Sequence, residues 1–99
     1  MADRKKLSDA EINRQLTTLK GWSLTNAKLH REIRFRDFVQ AFAFMTGGAL
    51  IAERLNHHPE WFNVYNRVVI DLTTQDAGGV SEMDFAFASS ISAFIPADA

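Results

Sequence analysis

The 99-residue chain predicts an α+β domain whose elements run α-β-β-α-β-β-α. Three patterns carry that expectation. Ser8 with Glu11, and Ser81 with Asp84, stand three apart just before apolar runs and read as capping boxes that start helices. Residues 29–35 and 67–73 alternate apolar and polar side chains, the period of a strand with one wet face. Between them, residues 37–55 form a long apolar helical stretch, and Pro59 forces His58 out of helical geometry, so that helix must stop before the adjacent histidines.

Taken in order, the first helix is expected over residues 9–20. Ile12, Leu16 and Leu19 fall at i, i+4 and i+7, and Leu7 and Ile12 are spaced as a hydrophobic staple around the Ser8 cap. Gly21 is placed to end this helix in a left-handed conformation. Residues 22–24 are a short extended candidate, Thr25-Asn26-Ala27 reads as a turn, and in residues 29–35 Leu29, Ile33 and Phe35 face one side. His30, Glu32 and Arg34 face the other side. Helix two opens at Asp37 with Phe38, Phe42, Met45, Ala49 and Ala52 as its main stripe. Gly47-Gly48 costs about 1 kcal/mol per glycine relative to alanine and marks either a close backbone approach or a kink. Residues 61–65 and 67–73 are strands, 76–79 a loop, and helix three spans 82–95, with Val80 and Phe85 as its staple and Pro96 as its stop. Residues 85–95 carry no charge, and two stripes (Phe85, Ala88, Ser92, Ile95 and Phe87, Ile91, Phe94) make the helix apolar all round. A single sheet covers one face of such a helix, so the second stripes of helices two and three are expected to meet another subunit.

Composition narrows the function classes. At 99 residues, with 46% hydrophobic and 23% charged side chains, the chain reads as one globular domain over residues 1–99. A formal charge of −1 is a poor match for a phosphate backbone, so no direct nucleic-acid contact is expected. With no cysteine there is no disulfide, thiol nucleophile or thiolate metal ligand, which fits a reducing, cytoplasmic setting. MADRKKLSDAE has no apolar segment behind its basic residues, and the longest uncharged run, residues 38–52, falls short of the ~20 that a membrane span needs, so neither a secretory signal nor a membrane is expected.

The chemistry-bearing feature is Asn56-His57-His58-Pro59-Glu60-Trp61. His30 alone needs no explanation beyond a solvated strand position. For the pair, one bland account is a helix C-terminal cap, with an imidazole on the last carbonyls. A metal site is disfavoured, since neighbours in an extended segment point apart and no HxxxH or HExxH spacing occurs. Acid/base work suits the pair better, because imidazole titrates near operating pH and two rings can divide proton removal and delivery. Glu60 and Asp76 are available to set tautomers, and Trp61 offers a flat apolar wall to an aromatic substrate. No GxSxG, GxxxxGK[ST] or GxGxxG is present, leaving no sequence case for acyl transfer, P-loop chemistry or dinucleotide binding.

The run His57-His58-Pro59-Glu60-Trp61-Phe62-Asn63-Val64-Tyr65-Asn66 resembles the signature of the pterin-4a-carbinolamine dehydratases, known in animals also as the dimerisation cofactor of a homeodomain transcription factor. The likeness extends over residues 7–94 and includes Gly21-Trp22, Phe35-Arg36-Asp37-Phe38, Phe42-Ala43-Phe44-Met45-Thr46 and Gly79-Val80-Ser81-Glu82-Met83-Asp84. It implies a four-stranded antiparallel sheet with helices packed on one face, and a homotetramer built as a dimer of dimers. The implied activity is loss of water from 4a-hydroxytetrahydropterin to give quinonoid dihydropterin, which recycles tetrahydrobiopterin for aromatic amino acid hydroxylases. It needs no metal and no cofactor, the pterin being the substrate. The resemblance places His57, His58 and Asp84 as catalytic residues, and Asn56, His57, His58, Pro59, Glu60, Trp61, Thr73, Thr74, Gln75 and Asp76 around the substrate. Asp84 has a purely structural account too, as the N3 residue of the Ser81 capping box.

One position departs from the family pattern. Where a third histidine is usual, the segment reads Thr73-Thr74-Gln75-Asp76, and an amide can hydrogen-bond but cannot exchange a proton near neutral pH. Two readings follow: an active dehydratase relying on His57 and His58, or a low-activity homo-oligomeric binding module or transcriptional coactivator that kept the fold. The histidine pair favours the first and Gln75 the second. A nuclear location and a transcription-factor partner arise only by family analogy.

Overall fold

A computed structural model describes residues 3–99. Its elements are α1 (Asp9–Leu16), β1 (Ser23–Thr25), β2 (Lys28–Arg34), α2 (Phe38–Leu55), β3 (Glu60–Val64), β4 (Arg67–Leu72), a 3₁₀ turn (Gln75–Ala77) and α3 (Glu82–Ser92), the order expected from the sequence. The strands form one antiparallel sheet in the order β1-β2-β4-β3, with β2 and β4 paired from Leu29↔Leu72 to Arg34↔Arg67. Leu29, Ile33, Val68, Ile70 and Leu72 project from one face into the helices and are buried. On the open face, His30 stands opposite Asp71, Glu32 opposite Val69, and Phe62 opposite Val69 from the other side. Asn26 (φ 52°) and Ala27 (φ 64°) both take the left-handed conformation that a two-residue hairpin needs to match strand twist.

Helix ends depart from expectation in instructive ways. α1 stops at Leu16, because Thr17 Oγ1 and Thr18 Oγ1 bond the carbonyls of Arg14 and Gln15, and tight i−3 backbone bonds carry the chain on. Gly21 takes φ 87° as expected, but beyond these turns. Ser8 accepts from the Glu11 amide, while the Glu11 carboxylate turns to Arg14, so the first box is half formed. The second box is complete. α2 is closed by Asn56 in the left-handed region (φ 51°, ψ 47°), three residues ahead of Pro59. α3 ends at Ser92 and loosens into i−3 turns before Pro96.

The apolar faces also need correction. α2 is unbroken, and its buried face is Ala41, Phe44, Gly48, Ile51 and Ala52; Phe38, Phe42 and Ala49 of the expected stripe are exposed. Gly47 and Gly48 seat side chains and not a backbone: a β-carbon at Gly48 would lie 2.7 Å from Ile91 Cδ1 and 3.0 Å from Trp61, and one at Gly47 would lie 2.9 Å from Phe94. Most of both α3 stripes is covered within the chain, with Phe85, Phe87, Ala88 and Ile91 buried, while Phe94 at the end of the second stripe is 52% exposed. A second helix can cover what a single sheet cannot, and α2 and α3 pack on each other. The uncovered large apolar side chains are Phe38, Val39, Phe42 and Leu50 on α2, Phe62, Val64 and Tyr65 on and just after β3, and Phe94 beyond α3.

Candidate active site

Three chain segments meet at one end of the sheet. The left-handed Asn56 turns the chain out of α2, and the His57 amide still bonds the Ala52 carbonyl at 3.0 Å, which fixes where its ring leaves the backbone. Beyond β4, Thr74 pairs with Gly79 across the 3₁₀ turn, closed by Gly78 at φ 75°. Ser81 then caps α3 and brings Asp84 beneath His57.

At the base of this junction Asp84 is wholly buried and fully used. Its Oδ2 accepts from the Ser81 amide at 2.9 Å and from Thr74 Oγ1 at 2.8 Å, and its Oδ1 meets His57 Nε2 at 2.5 Å. Thr74 and Ser81 hydroxyls lie 2.6 Å apart, closing the network, and among the described residues no buried side-chain polar atom lacks a partner. The capping account and the site account of Asp84 are therefore the same geometry. One oxygen finishes the helix cap; the other holds a buried imidazole. The opposite edge of that ring faces Arg4, whose NH1 approaches Nδ1 at 3.5 Å. A guanidinium has donors only, so Nδ1 accepts and the ring proton sits on Nε2, facing the carboxylate.

His58 sits in the reverse environment. Its side chain is 56% exposed, and Nε2 meets Glu53 Oε2 at 2.6 Å on the last turn of α2. The two rings are neighbours in sequence but differ in access: one is buried and oriented by a carboxylate, the other open to solvent. Both border a concavity of about 360 Å³, together with Arg4, Glu60, Thr73, Thr74, Gln75 and Asp76. Gln75 and Asp76 are exposed on its rim. Glu60 is bonded to Lys28 at 2.5 Å, and that bond, with smaller help from the Asp71 charge, holds the Lys28 ammonium above the usual lysine range. Neither Glu60 nor Asp76 reaches a ring; the tautomer-setting carboxylates are Asp84 and Glu53.

Three expected residues do not line the concavity. Trp61 points from β3 to the helix side and packs against Gly48, because alternation along the strand sends it opposite to Glu60, so it is no wall for a ligand here. Asn56 is spent on the helix stop, its carbonyl accepting from Arg4 NH2 at 3.0 Å, and Pro59 shapes the exit from the turn. Arg4 and Glu53 were missed by sequence reasoning. Neither carries a local signal; a basic residue ahead of a helix and an acid on its last turn are ordinary surface features. Among the described residues no group of three or more His, Asp or Glu is arranged to hold a metal ion, and no helix is long and apolar enough to cross a membrane.

Chemically, the junction offers an imidazole backed by a buried carboxylate, beside a second imidazole in contact with solvent. Such a pair can remove a proton from one atom of a bound molecule and return one to another.

Comparisons with known proteins identify the family. A Solibacter usitatus protein with the provisional name pterin-4-alpha-carbinolamine dehydratase is 57% identical over 88 residues, covering 89% of this chain and 93% of the relative. The crystal structure of a transcriptional coactivator/pterin dehydratase from Brucella melitensis superposes with a TM-score of 0.90 at 41% identity, covering 93% of this chain and 100% of that one. A pterin dehydratase-like protein identified as a RuBisCO assembly factor in the alpha-carboxysome shares the fold alone, at TM-score 0.62 and 24% identity over 75% of this chain and 86% of that one. The family model for pterin 4 alpha carbinolamine dehydratase matches residues 5–94, so the same junction of α2, β4 and α3 lies within the matched region, and the chain belongs to that family.

Proposed function

We propose that this protein eliminates water from 4a-hydroxytetrahydropterin to give quinonoid dihydropterin. The observation that carries the reading is the buried Asp84–His57 pair set beside an open His58 at the edge of one polar concavity. The reaction removes a proton from N5 and protonates the departing 4a-hydroxyl, which leaves as water while the C4a–N5 double bond forms. His58 is the main proton-exchanging group, since its ring is in contact with solvent; His57, oriented by Asp84, is the second. Thr73, Thr74 and Gln75 border the same space, and Gln75 serves as a hydrogen-bonding contact to the pterin. The chain's own side chains carry every proton in this scheme, so no cofactor is invoked. Stopped-flow measurement of 4a-hydroxytetrahydropterin dehydration against the spontaneous rate tests it, and a rate no faster than the spontaneous one would overturn it.

A second reading, a homo-oligomeric binding module or coactivator with little catalysis, draws on two observations. Gln75 replaces the third histidine, and α2 presents Phe38, Val39, Phe42 and Leu50 to solvent. An apolar helix face of this kind favours burial against another chain. We assign it to self-association, with a homotetramer as the expected species; the coactivator named in the Brucella melitensis relative keeps a protein partner within the same reading.

A further inference from the structure

The segment ahead of α1 is tied down at two places, the stretch before α3 and the end of α2. The Leu7 amide donates to the Val80 carbonyl at 2.8 Å. The Lys6 stem lies over Gly79 so closely that a β-carbon there would sit 3.0 Å from Lys6 Cε. Arg4 then reaches the far wall. Its NH2 donates to the carbonyls of Asn56 at 3.0 Å and Leu55 at 3.3 Å, and its NH1 to His57 Nδ1 at 3.5 Å. The carbonyl end of a helix attracts a cation, so this anchorage is where a guanidinium settles. Residues 4–7 thus form a strap from the loop behind Gln75–Ala77 to the end of α2, and its clasp lies on the ring.

We propose that Arg4 is a positioning residue for His57, the clasp of this strap. Asp84 holds Nε2 from the buried side and Arg4 covers Nδ1 from the cavity side, so both ring nitrogens are engaged and the ring has one orientation. The Arg4 guanidinium can only donate, so Nδ1 is the accepting nitrogen of the ring in this contact. The contact on Nδ1 is the longest of the three, hence the one a substrate N–H displaces, whereas the two carbonyl bonds keep the guanidinium at the rim. Lysine does not replace it, because an ammonium lacks the planar fork that spans two carbonyls and a ring. The other charged groups around His57 do not compete for this place: Asp84 lies on the opposite edge and Glu53 is taken by His58. The catalytic consequence rests on the dehydratase reading, and the shielding does not.

The test is residue-resolved carbethoxylation of intact wild type, R4A and R4K by diethyl pyrocarbonate, with His58 as the internal standard. Wild-type His57 should react at least about tenfold more slowly than His58; R4A should lose most of that protection with the His58 rate and far-ultraviolet circular dichroism unchanged, and R4K should fall between. On the same variants, R4A should lower kcat about tenfold with KM within about twofold, as expected when a reacting group loses its orientation. Protection of His57 in R4A equal to wild type would overturn the proposal, as would an active wild type whose kcat R4A leaves intact. A wild type that never exceeds the spontaneous rate would defeat the dehydratase reading, while the carbethoxylation result would still decide the strap.

Discussion

Replacing Asp84 by asparagine changes one atom at the centre of the site and separates the structural from the chemical work of the carboxylate. The Ser81 amide and Thr74 hydroxyl both donate to Oδ2, so the asparagine oxygen must take that place to keep the α3 cap. Its amide nitrogen then faces His57 Nε2 and donates. The ring must accept there, and its proton moves to Nδ1, against the Arg4 guanidinium. D84N should therefore fold, losing about 1–3 kcal/mol as charge-assisted bonds become neutral ones. For a domain of this size each kcal/mol lowers Tm by about 4–8 °C. Turnover should fall by about 10²–10⁴-fold, the range spanned by losing one acid/base group or its tautomer. D84A goes further. It orphans the Ser81 amide and the buried imidazole N–H, at about 1–3 kcal/mol each, against a total stability of about 5–15 kcal/mol. Urea denaturation and stopped-flow dehydration read the two effects separately. D84N turnover within about threefold of wild type, or D84A as stable as wild type, would show that the network is not what holds His57.

His58→Ala should reduce turnover by about 10²-fold or more with little change in Tm, because the ring is mostly exposed; near-wild-type turnover would remove it from the mechanism. Gln75→His should leave pterin affinity nearly unchanged and raise kcat by about tenfold, or 1.4 kcal/mol of barrier, and an unchanged kcat in an already active parent would make the third histidine dispensable in this architecture. Light scattering at micromolar concentration should give several times 11.2 kDa, and F42D should dissociate the assembly while staying folded, whereas F87D should unfold the chain because Phe87 is core; a monodisperse wild-type monomer would refute self-association. Gly48→Ala should destabilise by up to about 2 kcal/mol, the crowding of its β-carbon by Ile91 and Trp61 outweighing about 1 kcal/mol gained in helix propensity, and a Tm above wild type would show that the packing there is slack.

Where a pattern is local, the amino-acid order by itself determined the structure. Ser81 and Asp84 are three residues apart, so a helix start needs nothing distant, and the alternation of Val68, Ile70 and Leu72 assigns a strand face without knowledge of its partners. The adjacent histidines likewise pointed to the candidate site, because two imidazoles beside a helix stop can divide proton removal and delivery. Tertiary structure decided which of several apolar faces was covered. α2 and α3 carry apolar residues around most of their circumference, so periodicity has no single answer, and only their packing on each other and on the sheet side chose Phe44, Gly48 and Ile51 over Phe38, Phe42 and Ala49. It also decided how the histidines differ. His57 and His58 are chemically identical side chains on neighbouring residues, and what separates them is a carboxylate 27 positions away and an arginine 53 positions away, brought to one ring by the fold. Interactions at that separation leave no periodic trace in the chain, because their energy depends on distance in space and not along the backbone.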